Sequence, residues 1–280
     1  MKIHQTIHGI SSASGLIWKN ESLYIISDNS DVLYVFQKSG RLNKISLLES
    51  GELMENRPKP EKSDYEAITE DQESFYIFGS GSTPIRNRLA VVSKNDFSVS
   101  VRSLDSLYLR LKSQGNVDDE NFNIEGAIIQ EANLFLFNRG NGPKRQNGIF
   151  EINNWKQEEK QTVNFHPISL PPIQNSGFGF TDAVLVEDKI YFLAAAEAVA
   201  STYEDGEILG SIIGRMDFKT FTVETTQFIT DKFKLEGITL FKKDADFLYF
   251  LICEDPDDGG MESEIFELKL PNSGFKSFSK

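Results

Sequence analysis

Five short segments carry the residues best able to do chemistry: Ser14-Gly15-Leu16-Ile17, Glu66-Ala67-Ile68-Thr69, Glu125-Gly126-Ala127-Ile128, Asp182-Ala183-Val184-Leu185 and Glu236-Gly237-Ile238-Thr239. Each opens on a carboxylate or a hydroxyl, continues with Gly or Ala, and runs into aliphatic residues. The openings lie 52, 59, 57 and 54 residues apart, so five copies nearly span the 280 residues. If they converge on one axis, four carboxylates and a hydroxyl meet at one level. At ~4 Å and an effective dielectric of ~20, each like-charged pair costs about 4 kcal/mol. Either some groups keep their protons or a cation sits among them. An all-oxygen ring with a hydroxyl member suits Ca²⁺ better than the smaller Mg²⁺, and Zn²⁺ prefers nitrogen or sulfur. Ser14, Glu66, Glu125, Asp182 and Glu236 are therefore expected to be metal ligands. The competing reading is that single acidic residues cap strand starts or hydrate a water-filled channel.

The elements that position these residues repeat as well. Each motif is followed by a polar turn and an aromatic-aliphatic run: Leu23 to Ile26, Phe75 to Phe78, Leu134 to Phe137, Ile190 to Leu193 and Phe247 to Ile252. A variable loop precedes a third run (Val32 to Phe36, Leu89 to Ser93, Gly148 to Ile152, Ile212 to Met216, Ile265 to Leu270), and a more polar fourth run closes four of the units. Short β-branched and aromatic runs between turn signals read as strands. The continuous apolar character of the second run predicts burial on both faces. No segment shows a helical stripe of useful length. Four strands per unit and five units predict an all-β fold, a five-bladed β-propeller in one domain covering residues 1–280. Residues 2–10 mirror the outer strand Phe221 to Thr230 and are expected to complete the last blade, closing the ring. The tail from Gly274 is the alternative closing strand.

In that fold the loops between second and third strands surround one mouth of the axial channel. They carry Asp28, Arg86 and Arg88, Arg139 with Lys144 and Arg145, Glu197 running to Asp205, and Glu254-Asp255. Long charged loops on one face of a rigid scaffold look like a site. Arginine forks suit phosphate or carboxylate; equally, these cations could pair with neighbouring acidic loops. Arg86, Arg88, Arg139, Lys144 and Arg145 are the candidate substrate-binding residues, and Asp28 and Glu197 the candidate catalytic carboxylates.

Composition limits the partners. The 29 Lys and Arg against 42 Asp and Glu give a net charge of −13. That argues against binding nucleic acid or an anionic membrane, since phosphate neutralisation supplies most of such affinity. A single cysteine, Cys253, excludes an intramolecular disulfide framework, and three histidines leave little for a zinc site. No apolar stretch is long enough to span a bilayer, and the first residues lack the apolar core of a secretory signal. A cytoplasmic monomer acting on a small-molecule ligand is expected. Asp255-Pro256-Asp257-Asp258-Gly259-Gly260 starts like an EF-hand loop, but its twelfth position is Phe266 rather than Glu. Gly177-Phe178-Gly179-Phe180 lacks the βαβ context of a nucleotide fingerprint. His166 and Cys253 read as structural.

At these residues the sequence resembles the five-bladed calcium-activated nucleotidases of the apyrase type. Leu23-Tyr24-Ile25-Ile26-Ser27-Asp28-Asn29-Ser30-Asp31 resembles that family's first-blade signature. Phe180-Thr181-Asp182 with Ala194 to Glu197, and Leu235-Glu236-Gly237-Ile238, resemble its later blade motifs. Asn29 stands where the family has an arginine, and Lys2 to Ile10 lacks its acidic N-terminal strand. Asp64 to Ile68 also resembles the phytase-like and esterase-like bacterial propellers. The resemblance implies an axial calcium. Three functions compete. One is a calcium-dependent hydrolase of a phosphorylated small molecule, with Asp28 positioning water and the arginines holding charge. The second is a calcium-dependent lactonase or esterase with Asp28 or Glu197 as base. The third is a non-catalytic binding propeller with a structural ion.

Overall fold

A computed structural model describes residues 1–174, 176–198, 206–256 and 260–275. The described chain forms five four-stranded antiparallel sheets, each a blade. The innermost strands are Ala13–Lys19, Tyr65–Glu70, Ile124–Gln130, Gly179–Val186 and Lys234–Lys243. They touch one another in sequence order, and the last meets the first, so they enclose an axial channel. The N-terminal strand Lys2–His8 pairs antiparallel with Glu262–Pro271 and is the outer strand of blade five, as expected. This register removes an open sheet edge from the closing blade. The described start of the tail lies against blade four, where the Phe275 carbonyl accepts a hydrogen bond from Thr225.

The continuous apolar runs have a simple origin. Both faces of every sheet are blade-to-blade interfaces. In blade three, Leu134 and Leu136 pack toward blade two, with Phe78 and Leu89. The alternate Phe135 and Phe137 pack toward blade four, with Phe180 and Phe192. Burying such a side chain contributes roughly 1.5–3 kcal/mol, so two-sided burial sets the blade's stability.

One helix was not expected. Asp105–Gly115 joins blades two and three, burying Tyr108 and Leu111. Two buried positions are too few for a visible stripe. Packing holds the helix instead, with the Tyr108 hydroxyl donating to the Gly79 carbonyl at 2.6 Å. No helix among the described residues is long and apolar enough to cross a membrane.

Candidate functional site at the channel mouth

Every innermost strand carries a β-bulge where the repeat motif begins. The ladder skips Ser14, Glu66, Glu125, Thr181 and Glu236. A bulge turns one extra residue out of the ladder and re-aims its side chain, and here five such residues occupy equivalent places around the axis. Four of the five expected ring residues hold those places. The fourth blade differs from the expectation by one residue: Thr181, not Asp182, is bulged. Aligning Ala183 with Gly126 misled the repeat, because Asp182 itself fills the place that Gly or Ala takes elsewhere. That place faces the next blade and is tight: a Cβ on Gly237 would come within 2.6 Å of Leu16 and 2.8 Å of the Gly15 Cα. Asp182 uses it as a strut. Its two oxygens accept the Ala183 and Ile238 amides at 2.7 and 2.8 Å, tying blade four to blade five. Both oxygens are thereby engaged on backbone amides. Burial drives its pKa well above the ordinary carboxylate value, against those amides.

The hydroxyl members of the ring also tie blades. Ser14 donates to the Tyr65 carbonyl and Thr181 to the Leu235 carbonyl, each at 2.6 Å. In both cases the acceptor directly precedes the next blade's bulge.

Two residues before the bulges stand further functional groups: Ser12, Asp64, Asn123, Gly179 and Lys234. Lys62, Asp64, Asn123 and Lys234 were missed as site members. The spacings Asp64-x-Glu66, Asn123-x-Glu125 and Lys234-x-Glu236 were the available signal, since alternate strand residues share a face. Asn123 donates to Glu125 at 2.6 Å and the Lys234 ammonium meets Glu236 at 2.9 Å. Gly179 is vacant for a reason: a Cβ there would lie 2.7 Å from Arg139 Cγ and 2.2 Å from its carbonyl oxygen. Arg139 therefore crosses the space that blade four leaves open.

The charged groups form two clusters. On the side of blades three to five, Arg139 bridges Glu125 and Glu197 at 3.0 and 2.8 Å. Lys234 continues the chain, 3.8 Å from Glu197 and 2.9 Å from Glu236. Arg139, Glu125 and Glu236 are 4%, 2% and 3% exposed, so these charges are withdrawn from water. Burial works against the Arg139 and Lys234 charges, yet the adjacent carboxylates hold both pKa values well above ordinary. Burial raises Glu125 against the pull of Arg139 and Lys234. Glu236 is pushed up to about 7, by burial first, with Lys234 opposing and Glu125 adding. On the side of blades one and two, Asp64 pairs with Lys62 at 2.8 Å and Arg86 at 2.7 Å, and Lys62 also contacts Asp28. Oxygens of Asp28, Asp64 and Glu66 lie within 4.8 Å of one another, with Asp28 and Glu66 partly open to solvent. Burial and then neighbouring carboxylates raise Glu66 well above its usual value, and burial raises Asp28 against Lys62.

The remaining site expectations scatter. Arg86 and Arg139 reach the mouth as buried members of ion pairs. Arg88 begins the third strand of blade two, and its charge is felt by the core residue Tyr65. Lys144 points outward to Asp118 and is exposed. Arg145 is exposed, with Arg139 and Glu197 beside it around a cavity of about 60 Å³. Glu197 lies at the mouth but is shared by Arg139 and Lys234; Asp205 lies outside the described residues, as do Asp257, Asp258 and Gly259. Asn29 accepts hydrogen bonds from Ser11, Ser27 and Ser30, knotting the first loop. His166 pairs with Glu151 on outer strands at 2.8 Å and Cys253 is buried, both structural.

A family model covers residues 9–270. The chain belongs to the DUF6929 family, a family of unknown function. No curated protein matches this DUF6929 sequence. Among solved structures it is similar to a glycoside hydrolase at 13% identity and TM-score 0.55, covering 98% of this chain and 62% of that one. An exo-1,5-α-L-arabinanase from a bovine ruminal metagenomic library matches at 9% identity and TM-score 0.51, over 99% of both chains. Glutaminyl cyclase from Myxococcus xanthus matches at 11% identity and TM-score 0.50, over 96% of both. At such identities the likeness is one of fold; it does not extend to the nucleotidase resemblance.

Proposed function

We propose that the mouth binds one divalent cation, calcium in preference to magnesium, and that this DUF6929 protein is a calcium-dependent hydrolase of small molecules. The charge balance carries the reading. Asp28, Asp64, Glu66, Glu125, Glu197 and Glu236 gather around Lys62, Arg86, Arg139 and Lys234. Each cluster has one carboxylate more than it has cations, so a cation at the open trio meets an excess of negative charge, and Asp255 adds to the same field. The open trio Asp28, Asp64 and Glu66 offers hard oxygens and access to solvent, which suits the looser coordination of Ca²⁺. When bound, such an ion polarises a scissile carbonyl or phosphoryl oxygen. Asp28 is the candidate base: the residue is partly open to solvent, and its Oδ1 has no hydrogen-bond partner among the described residues. Glu197, fixed between Arg139 and Lys234, orients those cations instead.

The engaged forks of Arg86 and Arg139 favour carboxylic esters or lactones over phosphate esters, because carbonyl polarisation needs no arginine. The same engagement supports the second reading, a non-catalytic binding propeller with a structural ion. The test is elemental analysis of the purified protein after calcium loading and dialysis, then a panel of phosphate, ester and lactone substrates with calcium or chelator. Activity that needs calcium and disappears in Asp28→Asn supports the hydrolase. Bound calcium without activity leaves the binding propeller. Absence of a bound ion overturns both.

A further inference from the structure

The closed cluster is a chain of alternating charge with a link missing. It runs Glu125, Arg139, Glu197, Lys234, Glu236, and each contact along it is a direct ion pair or a close approach. Its two ends are both carboxylates. Each end has one engaged oxygen and one bare one: Glu125 Oε2 and Glu236 Oε2 are buried with no hydrogen-bond partner among the described residues. Buried acceptors of this kind are rare in folded proteins, because leaving one unmade costs about 1–3 kcal/mol. Burial first, and then the charge of Glu125, raises Glu236.

We infer that the bare oxygens of Glu125 and Glu236 form the recognition site for a primary ammonium group carried by the protein's small-molecule ligand. A compact cation there would turn the open chain into a closed ring of three anions and three cations. An ammonium fits the valence: it has three donors and no acceptor, and the bare oxygens take two of them. Calcium suits these two oxygens less, because it needs roughly 6–8 oxygens and both oxygens of the neighbouring Asp182 hold backbone amides. A phosphate or carboxylate would meet bare anions. The inference rests on the proposed function for the site's location, and names the substrate class as amine-bearing. It does not depend on the ion.

The experiment compares ethanolamine with ethylene glycol, which differ by the ammonium alone, in calorimetric titrations of the full chain with calcium or with a chelator. Ethanolamine is expected to bind at least ~10-fold more tightly, the effect of one charge-assisted contact, and under both conditions. Glu236→Gln should remove the preference. Because a substituted ring residue can impair folding, the wild-type pair of probes is the primary measurement. Equal affinity for the two probes, or no binding by either, overturns the inference. Potassium chloride competing with ethanolamine at equal concentration also overturns it, since the site would then accept any monovalent cation. Ethanolamine binding under chelation in a protein that never takes calcium would sink the ion reading and leave this one standing.

Discussion

The two clusters at the mouth have the same composition and opposite character. Each holds three carboxylates and two cations. On blades one and two, Asp28 and Glu66 keep contact with solvent, and three oxygens gather within metal-binding distance. On blades three to five every charge is buried and strung into one chain. The difference traces to backbone architecture. Gly179 lets Arg139 cross to Glu197, whereas Lys62 and Arg86 both converge on Asp64 and leave Glu66 uncommitted. The open side therefore meets solvent, while the closed side keeps its ion pairs buried.

The sharpest way to break this comparison is to remove one cation from each side. Arg139→Met strands Glu125 and Glu197 away from water, and breaking a buried pair this way costs about 3–5 kcal/mol. Lys62→Met leaves Asp64 with Arg86 and Asp28 near solvent, so about 1–3 kcal/mol is expected. Urea unfolding measures both. Equal losses would mean that the open side is as dry as the closed one.

The next effect is a pH slope. Glu236 has its pKa raised from 4.5 to about 7. Between those values the folded state holds a proton that the unfolded state has released. Its contribution is therefore fully present below 4.5 and is lost as pH rises through about 7, on the order of 3 kcal/mol. Glu66, Glu125 and Asp182 are raised in the same sense and add to it. Stability in chelator should fall from acid to neutral pH, and Glu236→Gln should flatten the curve. A slope unchanged by that substitution would move the titration to another group.

Calcium should separate the two sides. At a hundredfold excess over Kd it would stabilise the fold by ~2.7 kcal/mol. Glu66→Gln and Asp28→Asn should abolish the shift, while Glu125→Gln should retain most of it. If Glu125→Gln abolishes it and Glu66→Gln does not, the ion belongs on the closed side.

The repeat was legible because a blade needs the same small and apolar residues at the same places five times, down to the closing strand at the N-terminus. Carboxylates at Glu66, Glu125 and Glu236 were legible for the same reason. Of their cationic partners only Lys234, two residues before Glu236 on the same strand, left a spacing signal; Lys62 and Arg139 reach Asp28 and Glu197 of other blades, and such pairing leaves no periodic trace. Asp182 was misread because the motif shows residue types but not which residue bulges. The helix Asp105–Gly115 was silent since only Tyr108 and Leu111 face the core.

The smallest expected effect tests the hydroxyl ties that the two sides have in common. Ser14 lies in blade one and reaches blade two; Thr181 lies in blade four and reaches blade five. Each removes one hydrogen bond on substitution, so Ser14→Ala and Thr181→Val should each cost about 1 kcal/mol. Each hydroxyl gives its proton to a neighbouring carbonyl and neither belongs to the trio Asp28, Asp64 and Glu66, so the calcium-induced shift should survive both changes. Thermal melts with and without calcium, run on both variants, measure this. Loss of the calcium shift in Ser14→Ala would restore that hydroxyl to the ion's ligand set, where the repeat first placed it. Loss in Thr181→Val alone would draw the ion toward blades four and five. The open side would then be a water-filled vestibule, and the closed side the one that binds.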